Sequence, residues 1–244
     1  MRGRTRLATV GLLVALLPWL VSACDPPPDD RRPDLRMARL ADISLEETAD
    51  GRSLLRFTTV IVNVGEGAFE LHGSRSAGSS TMAVEQRVFD EAGGSRDLET
   101  TASMYYSGDG HDHWHVRDLE TYVLSRWDGP VGTGAKHGFC FRDDVPFRPS
   151  LPAAPAFPVY RGCGGAGDTA VTTGLSVGWG DRYASTLVDQ YIDVTDLRPG
   201  SYRLTATADA DDWFLESDDG NNATWVELRL GRREVTVQRY GPSA

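Results

Sequence analysis

The residues best suited to chemistry are a single lysine and a cluster of histidines. Of the 25 basic side chains only Lys136 is a lysine, and three of the five histidines fall in one His-Asp-His-Trp-His pentapeptide, as His111, His113 and His115. An amine can lose its proton and attack a carbonyl or a quinone, whereas a guanidinium stays protonated. One amine nucleophile therefore follows closely on one candidate metal site.

The spacing of His111, His113 and His115 fits one face of a β-strand. Residues i, i+2 and i+4 of a strand point the same way, about 6.6 Å apart per two-residue step, and a slight bend lets three imidazoles converge on one ion. Three neutral nitrogens with an open fourth position suit Cu(II) or Zn(II). The alternative is a solvated histidine run that forms a pH-sensitive surface patch.

The elements that must position these residues are β-strands. Short runs rich in β-branched and aromatic residues, separated by Gly, Asp and Pro turns, are typical of an all-β, antiparallel sandwich with long irregular loops. The predicted strands lie at residues 53–64, 68–72, 83–89, 119–127, 190–194, 201–208, 224–230 and 234–239. Residues 143–175, rich in Pro, Gly and Ala, are predicted to form a long loop, and such loops are often functional.

The N-terminus predicts export and lipid anchoring. Residues 1–23 combine three arginines with an apolar stretch too short to span a bilayer comfortably, and a lipobox-like Val-Ser-Ala-Cys follows. We expect a lipoprotein signal peptide over 1–23, a lipid on Cys24, a Pro/Asp-rich tether over 24–33 and one β domain over 34–244. The protein would then lie outside the cytoplasm, held to the cell membrane only by its lipid. The alternative is an ordinary cleaved signal that leaves Cys24 unmodified.

Charge and cysteine usage narrow the partners. Without residues 1–23 the chain carries 22 basic and 35 acidic side chains, a net charge of −13. That balance argues against nucleic acid and against a basic membrane-binding patch, and it favours cationic partners such as amines, although acidity also serves solubility alone. Cys140 and Cys163 most simply form one disulfide in an oxidising compartment, and a thiolate metal site is the weaker alternative.

Several motifs in the same order resemble the catalytic domain of the lysyl oxidase family, in a bacterial lipoprotein version. The histidine pentapeptide resembles the family's copper motif, and the Lys-His-Gly-Phe-Cys sequence from Lys136 resembles the segment of its quinone-forming lysine. The other matching segments lie at residues 54–65, 174–183, 190–200 and 216–222.

The resemblance implies a copper-dependent amine oxidase with a cofactor made from its own side chains. Lys136 and Tyr183 would join as lysine tyrosylquinone beside copper held by His111, His113 and His115. The implied reaction converts a primary amine, peptidyl lysine among the options, to an aldehyde and releases hydrogen peroxide and ammonia. Tyr191 is the rival tyrosine. The general base stays open between Asp181 and Asp189.

A second metal site is also implied. A turn rich in Asp, Asn and Gly supplies the hard oxygen ligands that calcium prefers, and family positions that bind calcium match residues at both ends of the domain. The residues concerned are Asp34, Leu35, Glu216, Asp218, Asn221 and Asn222. The alternative is a plain polar hairpin turn, since Asp, Asn and Gly form turns unaided.

The chain also departs from the family. Animal members carry many more cysteines, and the segment between Lys136 and Tyr183, which are 47 positions apart, includes a Pro/Gly/Ala loop that does not align. Two other function classes therefore stay open. One is a metal-binding or adhesion β-sandwich module without turnover, and the other is a histidine–copper redox protein that lacks the quinone.

Overall fold

The computed structural model describes residues 29–107 and 112–244. The predicted signal peptide 1–23, the predicted lipidation site Cys24, most of the predicted tether and His111 lie outside this part. The described residues form eighteen β-strands and one 3-10 helix, Asp219–Asn221. In that portion of the chain, a search for a helix long and apolar enough to cross a membrane finds none.

The strands range from two to thirteen residues. In chain order they are β1 Asp30–Arg31, β2 Leu35–Met37, β3 Ala41–Glu47, β4 Ser53–Asn63, β5 Phe69–Ser74, β6 Thr81–Asp90, β7 Ser95–Ser107, β8 His113–Arg117, β9 Glu120–Arg126, β10 Gly129–Thr133, β11 Gly138–Phe139, β12 Val145–Pro146, β13 Ala170–Leu175, β14 Trp179–Tyr183, β15 Tyr191–Asp193, β16 Gly200–Ala208, β17 Ala223–Leu230 and β18 Val235–Tyr240.

These strands pair antiparallel in three sheets. The first has the order β11-β8-β7-β6-β5-β13, with β1 added to β6, and the second has the order β10-β9-β16-β17-β18. The third is built on β4, which pairs with β14, β15, β2 and β3, while β12 extends it beyond β14. The predicted all-β fold of antiparallel sheets with long irregular loops is confirmed.

One apolar core lies between the sheets. Alternation along the strands directs every second side chain inward, as in β16, where Tyr202, Leu204, Ala206 and Ala208 are buried. Aromatic rings from different sheets meet edge to face; the Phe57 and Tyr122 centroids, for example, are 5.1 Å apart. Each fully buried large side chain contributes about 1.5–3 kcal/mol, so this shared core is what fixes the sheets against one another.

The predicted strands are present, with ends shifted by a few residues, but the longest strand was missed. β7 reads Ser-Arg-Asp-Leu-Glu-Thr-Thr in its first half, and such polar residues weaken a strand prediction. It forms because β6 turns back through Asp90, whose carboxylate accepts the Gly94 N–H at 2.8 Å. The pairing supplies the backbone hydrogen bonds that the side chains alone do not predict.

Two boundaries need correction. The tether was predicted to run to Pro33, but Asp30 and Arg31 form β1 on β6, and Arg96 binds the buried Asp30 carboxylate at 2.6 Å. The folded part therefore begins before residue 34. The long loop was predicted to end at Leu175, but β13 occupies Ala170–Leu175 and pairs with β5. The irregular stretch is held instead by bonds such as that from Trp179 Nε1 to Pro155 O, 3.0 Å.

Candidate functional site

The Lys136 amine lies against the ring of Tyr183. Its Nζ atom is 5.0 Å from the centroid of the Tyr183 ring and 5.3 Å from that of Phe139. The two rings themselves stack edge to face with centroids 5.2 Å apart. Two residues 47 positions apart in sequence are thus neighbours in space.

The strands adjacent to these residues explain why they meet. β11 begins two residues after Lys136 and pairs with β8, so that Gly138 lies opposite Arg117. A Cβ at Gly138 would force the Tyr105 hydroxyl to move and would press on His115, so glycine allows this close approach of the two strands. Tyr183 is the last residue of β14 and pairs with Thr59 of the neighbouring strand β4. The lysine segment and the tyrosine therefore approach from two different sheets.

His113 and His115 share one face of β8, as the strand periodicity predicts. Their rings lie 4.4 Å apart between centroids, and both line the same cavity as Lys136 and Tyr183. Trp114 points to the other side and is buried, donating from Nε1 to Gly165 O at 2.9 Å. His111, the third predicted ligand, lies outside the described residues.

Two imidazoles this close, on one wall of a cavity, fit the donor set of a copper or zinc site. Between residues 29 and 107 and between 112 and 244, no group of three His, Cys, Asp or Glu side chains could hold a metal ion. The described part thus supplies two imidazoles, and the set predicted from the sequence adds a third from His111.

A disulfide ties the lysine segment to the loop behind it. Cys140 and Cys163 are bonded, with a Cα–Cα distance of 5.8 Å that is ordinary for a cystine. The predicted pairing is confirmed. Cys140 O accepts the Tyr183 hydroxyl at 3.3 Å, and Cys163 O accepts the backbone N–H of Trp114 at 3.0 Å. One cross-link therefore holds the tyrosine, the lysine segment and the histidine strand in register.

The cavity between these groups has a volume of about 350 Å³. Its lining includes His113, His115, Lys136, Asp181, Tyr183 and Leu187. A space of this size can admit an extended alkylamine chain. A smaller cavity of about 130 Å³ lies on the other side of Lys136 and His115, and Asp189 lines that one.

Two buried carboxyl groups lie close to Lys136 and Tyr183. Burial raises the pKa of Asp181 to about 8, and the Glu120 charge adds to the rise. Burial also raises the pKa of Glu120 to about 7, while hydrogen bonds from Tyr122 and Thr59 and the nearby Lys136 amine oppose the rise. The same environment raises the pKa of the Tyr183 phenol well above its usual value. Asp181 and Tyr183 therefore favour the neutral form near pH 7, whereas Glu120 is about half ionised there.

The two candidate bases and the rival tyrosine occupy different places. Asp181 lines the main cavity beside Tyr183, whereas Asp189 faces only the smaller one. Tyr191 lies on β15, under the Arg56 guanidinium at 5.3 Å from its ring centroid. The geometry therefore groups Lys136 with Tyr183 and Asp181.

Sequence reasoning missed three residues of this region: Glu120, Arg142 and Arg182. Glu120 could have been found, because the alternation of the predicted strand 119–127 puts positions 120, 122 and 124 on the buried face. Because a carboxylate is seldom buried without a partner, its position on that face would have marked Glu120 as a candidate functional residue. The two arginines carry no comparable signal in a chain with so many arginines.

The residues predicted to bind calcium do lie together. Glu216 is buried and accepts the Leu35 N–H, and it also accepts from Asn222 Nδ2 at 2.8 Å. Asn221 donates to Asp218 at 2.7 Å, and the side-chain oxygens of both asparagines are buried without a hydrogen-bond donor among the described residues. These oxygens suit a hard cation.

Asp34, by contrast, is engaged by a cation already present, because Arg36 binds its carboxylate at 2.8 Å. The donor set therefore fits calcium in part, and the calcium site stays a prediction.

The Glu120 carboxyl predicts a pH effect on stability. Its folded-state pKa of about 7 lies above the unfolded value, so its contribution is full below about pH 4.5 and is lost as pH rises through 7. Glu120→Gln keeps an oxygen for Tyr122 and Thr59 without the charge. The free energy of unfolding of the metal-free variant, relative to wild type, should rise by on the order of 2–3 kcal/mol from pH 5 to pH 8, as measured by urea unfolding.

The matched control is Glu227→Gln. Glu227 accepts from Arg239 and Arg203, and these bonds lower its pKa to about 2. Its contribution is therefore constant between pH 5 and 8, and the difference between this variant and wild type should not change with pH. Equal pH profiles for Glu120→Gln and wild type would show that Glu120 is already ionised in the folded protein.

Residues 96–240, more than half of the chain, match the family model described as lysyl oxidase. The protein-lysine 6-oxidase of Rattus norvegicus is 32% identical over 127 residues, which are 51% of this chain and 26% of that protein. The protein of the same name from Sus scrofa is 31% identical over 127 residues, 51% of this chain and 43% of the relative.

Lysyl oxidase homolog 3 of Homo sapiens is 31% identical over 134 residues, 52% of this chain and 16% of that protein. The chain thus spans less than half the length of each of these relatives. The matched region contains the histidine strand, Lys136, the disulfide and Tyr183. The extent of this match shows that the chain belongs to the lysyl oxidase family.

Proposed function

We propose that this protein is a copper-dependent amine oxidase whose organic cofactor forms from Lys136 and Tyr183. The observation that carries the proposal is the position of the lysine Nζ, 5.0 Å from the centroid of the Tyr183 ring, in a cavity also lined by His113 and His115. The net reaction is oxidation of a primary amine to an aldehyde, with release of hydrogen peroxide and ammonia.

His113 and His115, together with His111, would hold the copper. When present, the metal and the quinone would supply oxidising power: first to convert the tyrosine ring, then to accept electrons from the amine. The remaining work falls to side chains of the chain itself. The disulfide-bonded Cys140, whose carbonyl accepts the Tyr183 hydroxyl, and the edge-to-face contact with Phe139 would hold the Tyr183 ring in position for the lysine amine.

Asp181 is the proposed proton acceptor. It lines the main cavity beside Tyr183. Its pKa of about 8 makes the carboxylate, the minor form at pH 7, a stronger base than an ordinary aspartate, and the ionised fraction grows as pH rises toward 8. Glu120 is close enough to Tyr183 for its charge to affect the phenol, and it accepts hydrogen bonds from Tyr122 at 2.6 Å and Thr59 at 3.0 Å. It can take up a proton when Lys136 is deprotonated, because the two charges already interact. Asp181 faces the substrate and Glu120 faces the cofactor.

The substrate is proposed to be a primary amine, with peptidyl lysine as one class. Relatives that match this chain are named protein-lysine 6-oxidase, which supports lysine-containing substrates. The acidic balance of the chain supports a cationic partner through long-range attraction. We also propose that Cys24 carries a lipid anchor, that the protein lies outside the cytoplasm, and that calcium binds at Glu216.

A tryptic peptide map of copper-loaded protein tests the proposal. Cleavage after Arg126, Arg142, Arg182 and Arg203 gives residues 127–142 and 183–203, because the Arg198–Pro199 bond resists trypsin. After reduction of the disulfide, we expect one covalently fused peptide from these two segments, uncut at Lys136. Separate peptides with cleavage at Lys136 would overturn the proposal and leave a metal-binding module.

Matched tyrosine variants identify the partner in that fragment. Residues 183–203 contain three tyrosines, Tyr183, Tyr191 and Tyr202, so the mass of the fused peptide alone does not identify the one that is joined. Tyr183→Phe should abolish the fusion, and Tyr191→Phe should preserve it. The reverse pattern would assign the cofactor to Tyr191.

A further inference from the structure

Two arginines stand at the cavity that holds Lys136 and Tyr183. Arg142 and Arg182 both line it, and their side chains are 54% and 57% exposed. They share one carboxylate: Arg142 lies 3.8 Å from Asp144 Oδ1, and Arg182 lies 3.9 Å from Asp144 Oδ2. Two positive charges against one negative charge leave this rim positive.

The distances show that Asp144 satisfies neither arginine. Both exceed hydrogen-bond length, whereas other exposed arginines of this chain bond carboxylates closely, as Arg239 and Arg203 do with Glu227 at 2.9 and 2.8 Å. Within the part of the chain that the structure describes, no hydrogen bond from either rim guanidinium to another residue is found. Each planar fork is thus available for an oxyanion from outside.

The backbone holds the two arginines and Asp144 in place. Asp144 donates its N–H to Gly180 O at 3.0 Å, and β12 then pairs with β14. Arg182 belongs to β14 itself, one residue before Tyr183 and one after Asp181. Consecutive strand residues point to opposite faces, so the Arg182 side chain leaves β14 on the exposed side while Asp181 and Tyr183 are buried. The two guanidinia therefore meet at Asp144 on the outer rim of the cavity, on backbone that is fixed relative to Tyr183.

We propose that Arg142 and Arg182 form an anion clamp that selects amines carrying a carboxylate remote from the amino group. The amine enters toward Tyr183 and Asp181, and the carboxylate pairs with the two guanidinia. This inference rests on the proposed function. A simple diamine would place its second cation against the positive rim, so the clamp disfavours that class.

The overall acidity of the protein does not conflict with this selection. The net charge acts at long range and is screened within about 10 Å at ordinary salt, so it concentrates amines without choosing among them. The clamp acts by contact. A free amino acid and a peptide with an acidic residue near its lysine share the required chemistry, and the assay must separate these two sources.

Matched substrates test the clamp in the copper-loaded protein. We expect kcat/KM for ω-aminohexanoate to exceed that for hexylamine and for diaminopentane by about 10-fold or more, as charge-assisted pairing to two arginines allows. The double variant Arg142→Ala/Arg182→Ala should bring the aminohexanoate-to-hexylamine ratio close to one. Arg229→Ala, an exposed arginine on β17, is the control and should keep the wild-type ratio. Blocked lysine peptides with and without a neighbouring glutamate separate the two sources.

A second readout needs no turnover. Hexanedioate carries a carboxylate at each end and no amine. Calorimetry on the metal-free protein should detect binding of hexanedioate to wild type, and the double variant should not bind it. If wild type forms no fused peptide and oxidises no amine, the proposed function fails, while this titration still decides the clamp. If wild type turns over hexylamine and aminohexanoate equally and hexanedioate does not bind, the clamp is overturned.

Discussion

Replacing Lys136 with arginine is expected to abolish the fused tryptic peptide and to lower amine oxidation by at least about 10³-fold. The substitution keeps a long cation above the Tyr183 and Phe139 rings, where the lysine Nζ now lies at 5.0 and 5.3 Å. What it removes is the ability to lose a proton and add to a ring carbon. The measurement pairs the peptide map with peroxide release from a primary amine.

Controls must show that this loss is chemical and not structural. The variant should bind copper and unfold at the wild-type temperature, because the cation–ring contact and the charge near Glu120 are kept. Arg142→Ala serves as a matched loss of one cation from the same cavity, and it should retain the fused peptide. A fused peptide in Lys136→Arg would place the cross-link at another nucleophile and contradict the assignment.

The sequence predicted the sheets where side-chain alternation carries the information. Strand β16 buries every second residue, and its predicted range of 201–208 differs from the observed Gly200–Ala208 by one position. The prediction failed at β7, because its polar first half is stabilised by pairing with β6 rather than by burial. Cross-strand pairing is a tertiary property, and a single run of residues does not encode it.

Residue types led to a prediction of the chemistry of the site, but they did not predict its geometry. One lysine among arginines and a histidine repeat point to an amine nucleophile near a metal. That Lys136 meets Tyr183 and not Tyr191 depends on β11 joining β8 and on β14 joining β4, two pairings between distant segments. The rim charges of Arg142 and Arg182 become visible only when Asp144 is seen to lie between them.

The disulfide shows how these levels connect. A bond between two predicted cysteines looks at first like a stabilising link, worth about 3 kcal/mol for a closed loop of this size. In the folded chain its carbonyl neighbours bind Tyr183 and Trp114, so the same link also fixes the tyrosine beside the histidine strand. A structural feature readable from sequence thus acquires a positioning role that only the fold reveals.

Removing His115 should have the other large effect, on copper binding. His115 is buried, lines the cavity, and has its ring centroid 4.4 Å from that of His113, so it is one of the two described imidazoles proposed to hold copper. Loss of residues behind a ligand already lowers metal affinity by 10- to 100-fold, and we expect His115→Ala to lower copper affinity by more than about 100-fold. Competition with a copper chelator measures the affinity directly.

A histidine away from the cavity provides the matched control. His72 on β5 bonds Glu70 at 2.6 Å in another part of the first sheet, and His72→Ala should keep copper affinity, the fused peptide and turnover. His115→Ala should lose all three, because the proposed function requires bound copper for conversion of the Tyr183 ring. Equal copper affinity in the two variants would show that the histidine strand is not the copper site. A fused peptide in His115→Ala without bound copper would show that the cross-link forms by another route.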